Sequence, residues 1–444
     1  MLRITNNGQS AAKPLSIEEG STTMRFVTLR IYLSEIGSNL VIGWRYGLML
    51  IERLNIILSK RISFLNIHMS HFVPTKEMSL PRVRTGYERI VAHRSKPPFS
   101  YCAEEDGVIE RIDKDAHMVT VSYPGSNRKI SVQYGDLFTN NGGGGFYCTQ
   151  NIAINGFNEG DKVKKGDVII YNDRFFKPDP FNKQVDISLG VLANVALMDN
   201  CMTVEDSDII SKNLANKLEF NPVHIRDIVL TKSTTIHKYA AVGTEVVNTD
   251  PLMIFDQSII TDDMFGTLDE EAAALLGDMN KQTPRAKFTG RICKIEAYYL
   301  GDTEGMSESV KNLVNVVTRD ARKKAAAAKD SENSIEYPKN SKIEQSTRIG
   351  NVVLDDETIV FRFMIQCVTN MSSGDKVEFD SSLKSVCACV DENGWETEDG
   401  SVKCDALFSQ KGQLARLINS PVLTGLSNRI LEKIENDVLD MYFK

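Results

Sequence analysis

Apolar residues follow two rhythms along this chain. From about Val73 onward, short β-branched runs recur, broken by Gly, Pro, Asn and Asp, a texture of strands and turns. Val108-Ile109, Val119-Thr120-Val121, Ile130-Ser131-Val132 and Val168-Ile169-Ile170 are strand candidates in one compact β-rich region. Val191 to Met198 reads as a buried strand. A helix is expected from near Glu205, because Ser207 through Leu218 carry apolar positions at helical spacing. Upstream, residues 24–65 mix spacings of three and four, which predicts one or two helices behind a polar stretch over 1–20. Strands return over 226–300. A charged helix is expected over 305–328, ending in Arg322-Lys323-Lys324-Ala325-Ala326-Ala327-Ala328-Lys329, then a polar linker over 329–345. After Thr358 come further strands, a helix from about Gln413 and a last helix over 426–442. No repeat at a solenoid period is present.

At 444 residues the chain is long enough for two to four domains, each with its own core. With 42% hydrophobic and 25% charged residues it falls among ordinary globular proteins, which excludes disordered and fibrous classes. A net charge of -7 is not that of a free-standing nucleic-acid binder, so any such contact needs a local basic surface or a partner chain. Eight scattered cysteines read as reduced thiols rather than a disulfide framework. Cys387-Ala388-Cys389 with Cys404 offers three zinc ligands on paper. A C-x-C in a β pattern is expected to put both thiols on one strand face, however, and no fourth ligand has suitable spacing. The start, Met1-Leu2-Arg3-Ile4, lacks a signal-peptide pattern. Residues 39–58 are the most apolar stretch, but Arg45, Glu52 and Arg53 interrupt it, which favours a buried amphipathic helix over a membrane span.

Most short motifs have an ordinary reading in isolation. The tetraglycine Gly142 to Gly145 is followed by Phe146-Tyr147, not by the Lys-Ser/Thr of a phosphate loop, and reads as a loop. Gly160-Asp161-Lys162-Val163-Lys164-Lys165-Gly166-Asp167 is a hairpin signature shared with swinging-arm carrier domains, but no modifiable lysine motif accompanies it. The six histidines show no metal-ligand spacing, and nucleophile signatures are absent. Glu205-Asp206 suits the first turn of a helix for dipole reasons. Gly374-Asp375-Lys376 is a common turn, Lys384 a strand residue, and Arg416 a plausible surface position on a helix.

Order and spacing change these readings. Leu80 through Arg89 resembles the P-x-V-G-T-G-M-E of the β subunit of bacterial multisubunit RNA polymerase, and Asp106-Gly107-Val108-Ile109 its following G-G-V-V. Asn140 through Gln150 and Gly160 through Asp167 resemble its N-Q…N-Q…V-x-x-G-x-x-V-x-x-G-D stretch. Gly190 to Ser211 resembles G-Q-N…V-A-F-M…N-F-E-D-S-I-L-I-S, with Val204-Glu205-Asp206-Ser207 on the acidic motif. Gly374-Asp375-Lys376 matches the start of G-D-K-M-A-G-R-H-G-N-K-G, whose second lysine falls eight residues after the first, where Lys384 stands. Asp399-Gly400 through Asn419 resembles D-G-x-x-x-D…P-S-R-M-N-I-G and sets Arg416 on its arginine. The likeness covers roughly 64–430. It departs where A-G-R-H-G-N becomes Val377-Glu378-Phe379-Asp380-Ser381-Ser382-Leu383, where W-N-G-Y becomes Asn200-Cys201-Met202-Thr203, and in lacking the N-terminal half and the later G-G-Q-R-F-G-E-M-E block. Such division resembles the split β-type subunits of giant (jumbo) bacteriophages.

The resemblance implies a DNA-dependent RNA polymerase subunit, a nucleotidyltransferase not active alone, in the cytoplasm of an infected bacterial cell. It implies a β-rich, multidomain α+β chain: a helical N-terminal extension (1–63), a β-rich region (64–179), and two parts of a double-psi β-barrel half (180–225 and 369–444). Between those parts would lie a reduced flap-like insertion (226–368). Lys376 and Lys384 would contact phosphates of the RNA 3′ end or initiating nucleotide, and Arg416 the incoming triphosphate. Glu205 and Asp206 would sit near the second metal. Mg2+ would be bound mainly by a partner β′-type chain, because the N-A-D-F-D-G-D signature has no counterpart here. The implied partners are an N-terminal β-type chain, β′-type chains, a promoter-specificity subunit, template DNA, the RNA transcript and nucleoside triphosphates, with no membrane. A β-rich phage structural or assembly protein without a catalytic role is the competing reading.

Overall fold

The computed structural model describes residues 4–6, 25–33, 73–80, 82–84, 86–97, 99–141, 146–188, 190–204, 206–256, 281–331, 342–379, 383–415 and 420–443. The architecture is β-rich α+β. Six strands close a barrel: β1 (Arg25–Leu33), β2 (Val191–Leu197), β3 (Ser207–Ser211), β4 (Lys376–Phe379), β5 (Leu383–Asp391) and β6 (Ala406–Phe408). Their order around the barrel is β2-β1-β4-β5-β3-β6, closing back on β2. The β2·β6 and β3·β5 contacts are parallel and the other four antiparallel.

The period of two explains the barrel core. Val191, Ala193, Val195 and Leu197 point inward with Val377, Phe379, Leu383, Cys387, Ala406 and Phe408. The Phe379 and Phe408 rings meet at 4.9 Å, and burying each is worth about 1.5–3 kcal/mol. The alternate positions Ala196, Ile209 and Leu407 are buried too, against a second cluster holding Trp395 and Cys404. That two-sided burial is why the end of β2 is apolar at every position instead of alternating.

Two helical expectations are overturned here. Residues 25–33 form β1, not a helix: Phe26-Val27 and Ile31-Tyr32 are strand formers, and the segment pairs with β2 from Ile31↔Val191 to Arg25↔Leu197. Residues 207–211 form β3, with the helix confined to Lys212–Lys217 (α2, after α1 at Ile90–Arg94). Ser211 ends the strand and caps α2, its side chain accepting from Leu214 N at 3.2 Å. The apolar spacing over 207–218 is that of a buried strand joined to one helical turn and a half.

A second core lies under a nine-stranded sheet. Its centre is the antiparallel set Gly290–Leu300, Thr358–Gln366 and Pro222–Thr231. Pro222↔Cys148 pairing extends it to Phe146–Ile154, so strands from the 64–179 stretch and from 226–368 share one sheet. Arg362 donates to both Asp227 oxygens across neighbouring strands, at 2.8 and 2.9 Å. The charged helix is α3, Glu308–Ala327, capped by Ser307 and packed through Val310, Leu313 and Val314 on this core. The G-D-x-V-x-x-G-D segment does not pair with itself. Gly160 and Gly166, at φ +87 and +89, make two turns around a short strand that pairs with Gly107-Val108 instead. The strands flanking the tetraglycine pair antiparallel through Asn141↔Phe146, while 142–145 lie outside the described residues.

Helices α4 (Gln410–Ala415) and α5 (Ser420–Phe443) follow the barrel. Val422 of α5 enters the barrel core, and Arg82 holds Glu435 at 2.9 Å. The apolar stretch 39–58 lies outside the described residues, among which no helix is long and apolar enough to cross a membrane.

Candidate functional site

The β4–β5 hairpin is set up by the turn before it. Gly374 takes φ +93, and the Asp375 carboxylate accepts from Ser372 N at 2.8 Å, so Gly-Asp is turn chemistry as its composition suggests. The strand that follows presents Lys376 at its exposed start. In the hairpin register Lys376 is opposite Val386 and Glu378 is opposite Lys384. Directly opposed residues share a face, so Lys376, Glu378, Lys384 and Val386 lie on the outside of the barrel, while Val377, Phe379, Leu383 and Cys387 fill its inside. The two lysines are diagonal neighbours, with backbones about 7–8 Å apart.

Asp206 arrives from a distant part of the sequence. Its carbonyl oxygen accepts from Val386 N at 2.9 Å and from the Ser385 hydroxyl at 3.0 Å, the two residues after Lys384. The barrel thus brings together three of the five sequence-predicted residues: exposed Asp206 and Lys376 and half-buried Lys384. Glu205 and Arg416 lie outside the described residues. The helix just before Arg416, α4, is tied to the end of β2 through Ser409. That hydroxyl accepts from Gly412 N at 3.0 Å and donates to Asp199 at 2.9 Å.

Two acidic residues at this wall were not singled out by their motifs. Glu378 is fully buried opposite Lys384, so that lysine has a structural partner position as well as an outward one. Asp208, two residues beyond Asp206, is fully buried, paired in register with Cys387 on one side and Phe408 on the other. Neither of its carboxylate oxygens has a hydrogen-bond partner. Burial pushes its pKa up to about 7, against a smaller opposing pull from the Ser385 hydroxyl. Burial, and secondarily this carboxylate, pushes the Cys387 thiol up to about 12. The signal for Asp208 in the sequence is an acid heading the apolar pair Ile209-Ile210.

The cysteine geometry also differs from expectation. Between Asp208↔Cys387 and Ile209↔Cys389 the register shifts, which inserts Ala388 as an extra residue. Cys387 therefore joins the barrel core, while Cys389 packs with Cys404 on the other cluster. Among the described residues no three His, Cys, Asp or Glu side chains are gathered so as to hold a metal ion. The arrangement offers two lysines and one carboxylate on a barrel wall, chemistry suited to holding phosphates or an ion supplied by a neighbour. No protein-family model matches the chain, and no curated protein does.

Proposed function

We propose that this chain is a β-type subunit of a multisubunit DNA-directed RNA polymerase, forming one wall of an active site whose metals are bound by another chain. The observation that supports it most is the convergence of Asp206 with the Lys376–Lys384 hairpin, since these residues belong to two separate motifs of the resemblance. In this reading the six-stranded barrel corresponds to the family's double-psi barrel half, and the sheet with α3 between β3 and β4 to the flap-like insertion. Lys376 and Lys384 act as compact charges on phosphates of the RNA 3′ end or initiating nucleotide. Arg416 binds the incoming triphosphate through two guanidinium nitrogens. Glu205 and Asp206 orient the second Mg2+ held by the β′-type chain, directly or through water. The template DNA, transcript and other subunits complete the cleft.

The test is first-dinucleotide synthesis in the reconstituted complex. Lys384→Ala and Lys376→Ala should each leave assembly intact and lower initiation about tenfold or more at limiting nucleotide, the equivalent of about 1.5–3 kcal/mol for one charged phosphate contact. The competing reading, a structural protein, draws on Glu378: there Lys384 serves the cross-strand pair and Lys376 is a solvated charge. Unchanged initiation with Lys376→Ala, which leaves that pair in place, overturns the polymerase assignment of the wall.

A further inference from the structure

The outward face of α3 is strongly basic in an acidic chain. From 311 to 329, six basic residues stand against a single acid, Asp320, a local balance of +5 in a chain of -7. The helix sorts these charges by direction. Val310, Leu313, Val314 and Thr318 face the sheet, and half-buried Lys324 lies on the same side. Arg319, Arg322 and Lys323 are exposed on the opposite side, Lys311 is exposed at its edge, and Lys329 is exposed in the turn that follows the helix. No salt bridge among the described residues involves Arg319, Arg322, Lys323 or Lys329: Arg322 reaches the Asn315 side chain at 3.3 Å, and Lys323 is near enough to Asp113 to help hold that carboxyl below its usual range without pairing with it. A helix C-terminus favours cations within its last turn, which accounts for Lys324 and not for Arg319 two turns earlier. Ala325 and Ala326 are exposed and small, leaving the far end of this face open to close approach.

The geometry points to double-stranded DNA as the ligand of this face, held through its sugar-phosphate backbone by Lys311, Arg319, Arg322, Lys323 and Lys329. Charge complementarity favours a polyanion. The choice among polyanions comes from what the face lacks: residues 308–331 contain no Phe, Tyr or Trp. Single strands are gripped by stacking bases on aromatic rings, and that platform is missing. A convex helix of 20 residues, about 30 Å long and about 10–12 Å across, fits against a duplex whose major groove is about 12 Å wide. A contact confined to the sugar-phosphate backbone is independent of base sequence. This inference does not rest on the polymerase assignment, because α3 belongs to the large sheet and not to the barrel wall.

The experiment uses the full chain and a fluorescein-labelled duplex of about 20 base pairs and arbitrary sequence, read by anisotropy between about 50 and 200 mM salt. Four or five phosphate contacts predict a log–log salt slope of about -4 and a loss of affinity of about a hundredfold or more across that range. The variant Arg319→Glu/Arg322→Glu/Lys323→Glu should lose duplex binding and flatten the slope by about three. A matched variant, Lys162→Glu/Lys164→Glu/Lys165→Glu, changes net charge equally at another exposed site and should keep it. The milder Arg319→Gln/Arg322→Gln/Lys323→Gln guards against misfolding, with thermal melting as the check. Equal binding by the α3 and matched variants overturns the proposal. So does tighter binding to single-stranded RNA of the same length, or equal binding to polyglutamate. Duplex anisotropy reads α3 and first-dinucleotide synthesis reads the barrel wall, so duplex binding lost with the matched variant as well as the α3 variant sinks this proposal alone, and failure of this proposal and failure of the active-site reading are distinguishable.

Discussion

Replacing Asp208 by asparagine should make the protein more stable at pH 8 than the wild type, and the advantage should vanish as pH falls. The carboxyl is fully buried in the barrel wall between Cys387 and Phe408, with no hydrogen-bond partner at either oxygen. Its folded pKa of about 7 stands above the ordinary aspartate value of 3.8. The sign follows from proton counting. Between about pH 4 and pH 7 the folded chain keeps this proton and the unfolded chain has lost it, so stability falls as pH rises through that window. The full penalty, about three pKa units at 1.36 kcal/mol each, is about 4 kcal/mol, reached near pH 7 and constant above it. Asparagine keeps the shape and removes the titration. Urea unfolding of both proteins at pH 5, 6, 7 and 8 reads the difference, and comparison with the variant cancels the other carboxylates. From pH 5 to 8 the gap should move by about 3 kcal/mol in favour of the variant. A gap that stays constant across that range would show that Asp208 ionises alike in both states, and would refute the reasoning.

Two further substitutions probe the sheet. Asp227→Ala leaves the Arg362 guanidinium, whose side chain is 14% exposed, without the carboxylate that takes two of its hydrogen bonds. A loss of about 3 kcal/mol is expected in urea unfolding, and a loss below about 1 kcal/mol contradicts a supporting role. Gly290→Ala would set a Cβ 2.2 Å from the Gln366 carbonyl oxygen, so the pairing of the two central strands must shift. Its cost should be about 2 kcal/mol, seen as a lowered melting temperature, and an unchanged Tm argues against this close approach.

How much of this was legible in the sequence depended on whether the deciding partner was local. Ser307 and the spacing of Val310, Leu313 and Val314 announce α3 from within its own length, and the structure has it at 308–327. The run at 191–197 is apolar enough to be a strand wherever it packs. Residues 25–33 and 207–211 look helical in isolation because short apolar segments fit both periods, and the tie is broken by partners on β2, β5 and β6. At the site, the hairpin placing Lys376 and Lys384 on one face follows from a Gly-Asp turn and a four-residue strand. The burial of Glu378 and Asp208 does not follow, since nothing local distinguishes a solvated acid from one enclosed by strands more than a hundred residues away. The CxC cysteines separate for a similar reason: the extra residue at Ala388 exists only relative to β3.

The barrel also sets a timetable for the chain's birth. β1 ends at Leu33, its neighbours lie at 191–197 and 376–379, and closure waits for Phe408. At synthesis rates of about 5–20 residues per second, roughly 20–70 s pass between β1 and residue 379, and during about 10–35 s of that time β1 can be paired with β2 on one side only. The central strands of the large sheet end at Gln366, so all of them are made before β4 and barrel closure comes after them. Long-range pairing of this kind is slow, and an exposed edge invites pairing with a neighbour's edge. A ribosome-bound nascent chain stalled before β4 is therefore the species most in need of a chaperone, and the wall bearing Lys376 and Lys384 is completed only late in synthesis, when β6 has followed it.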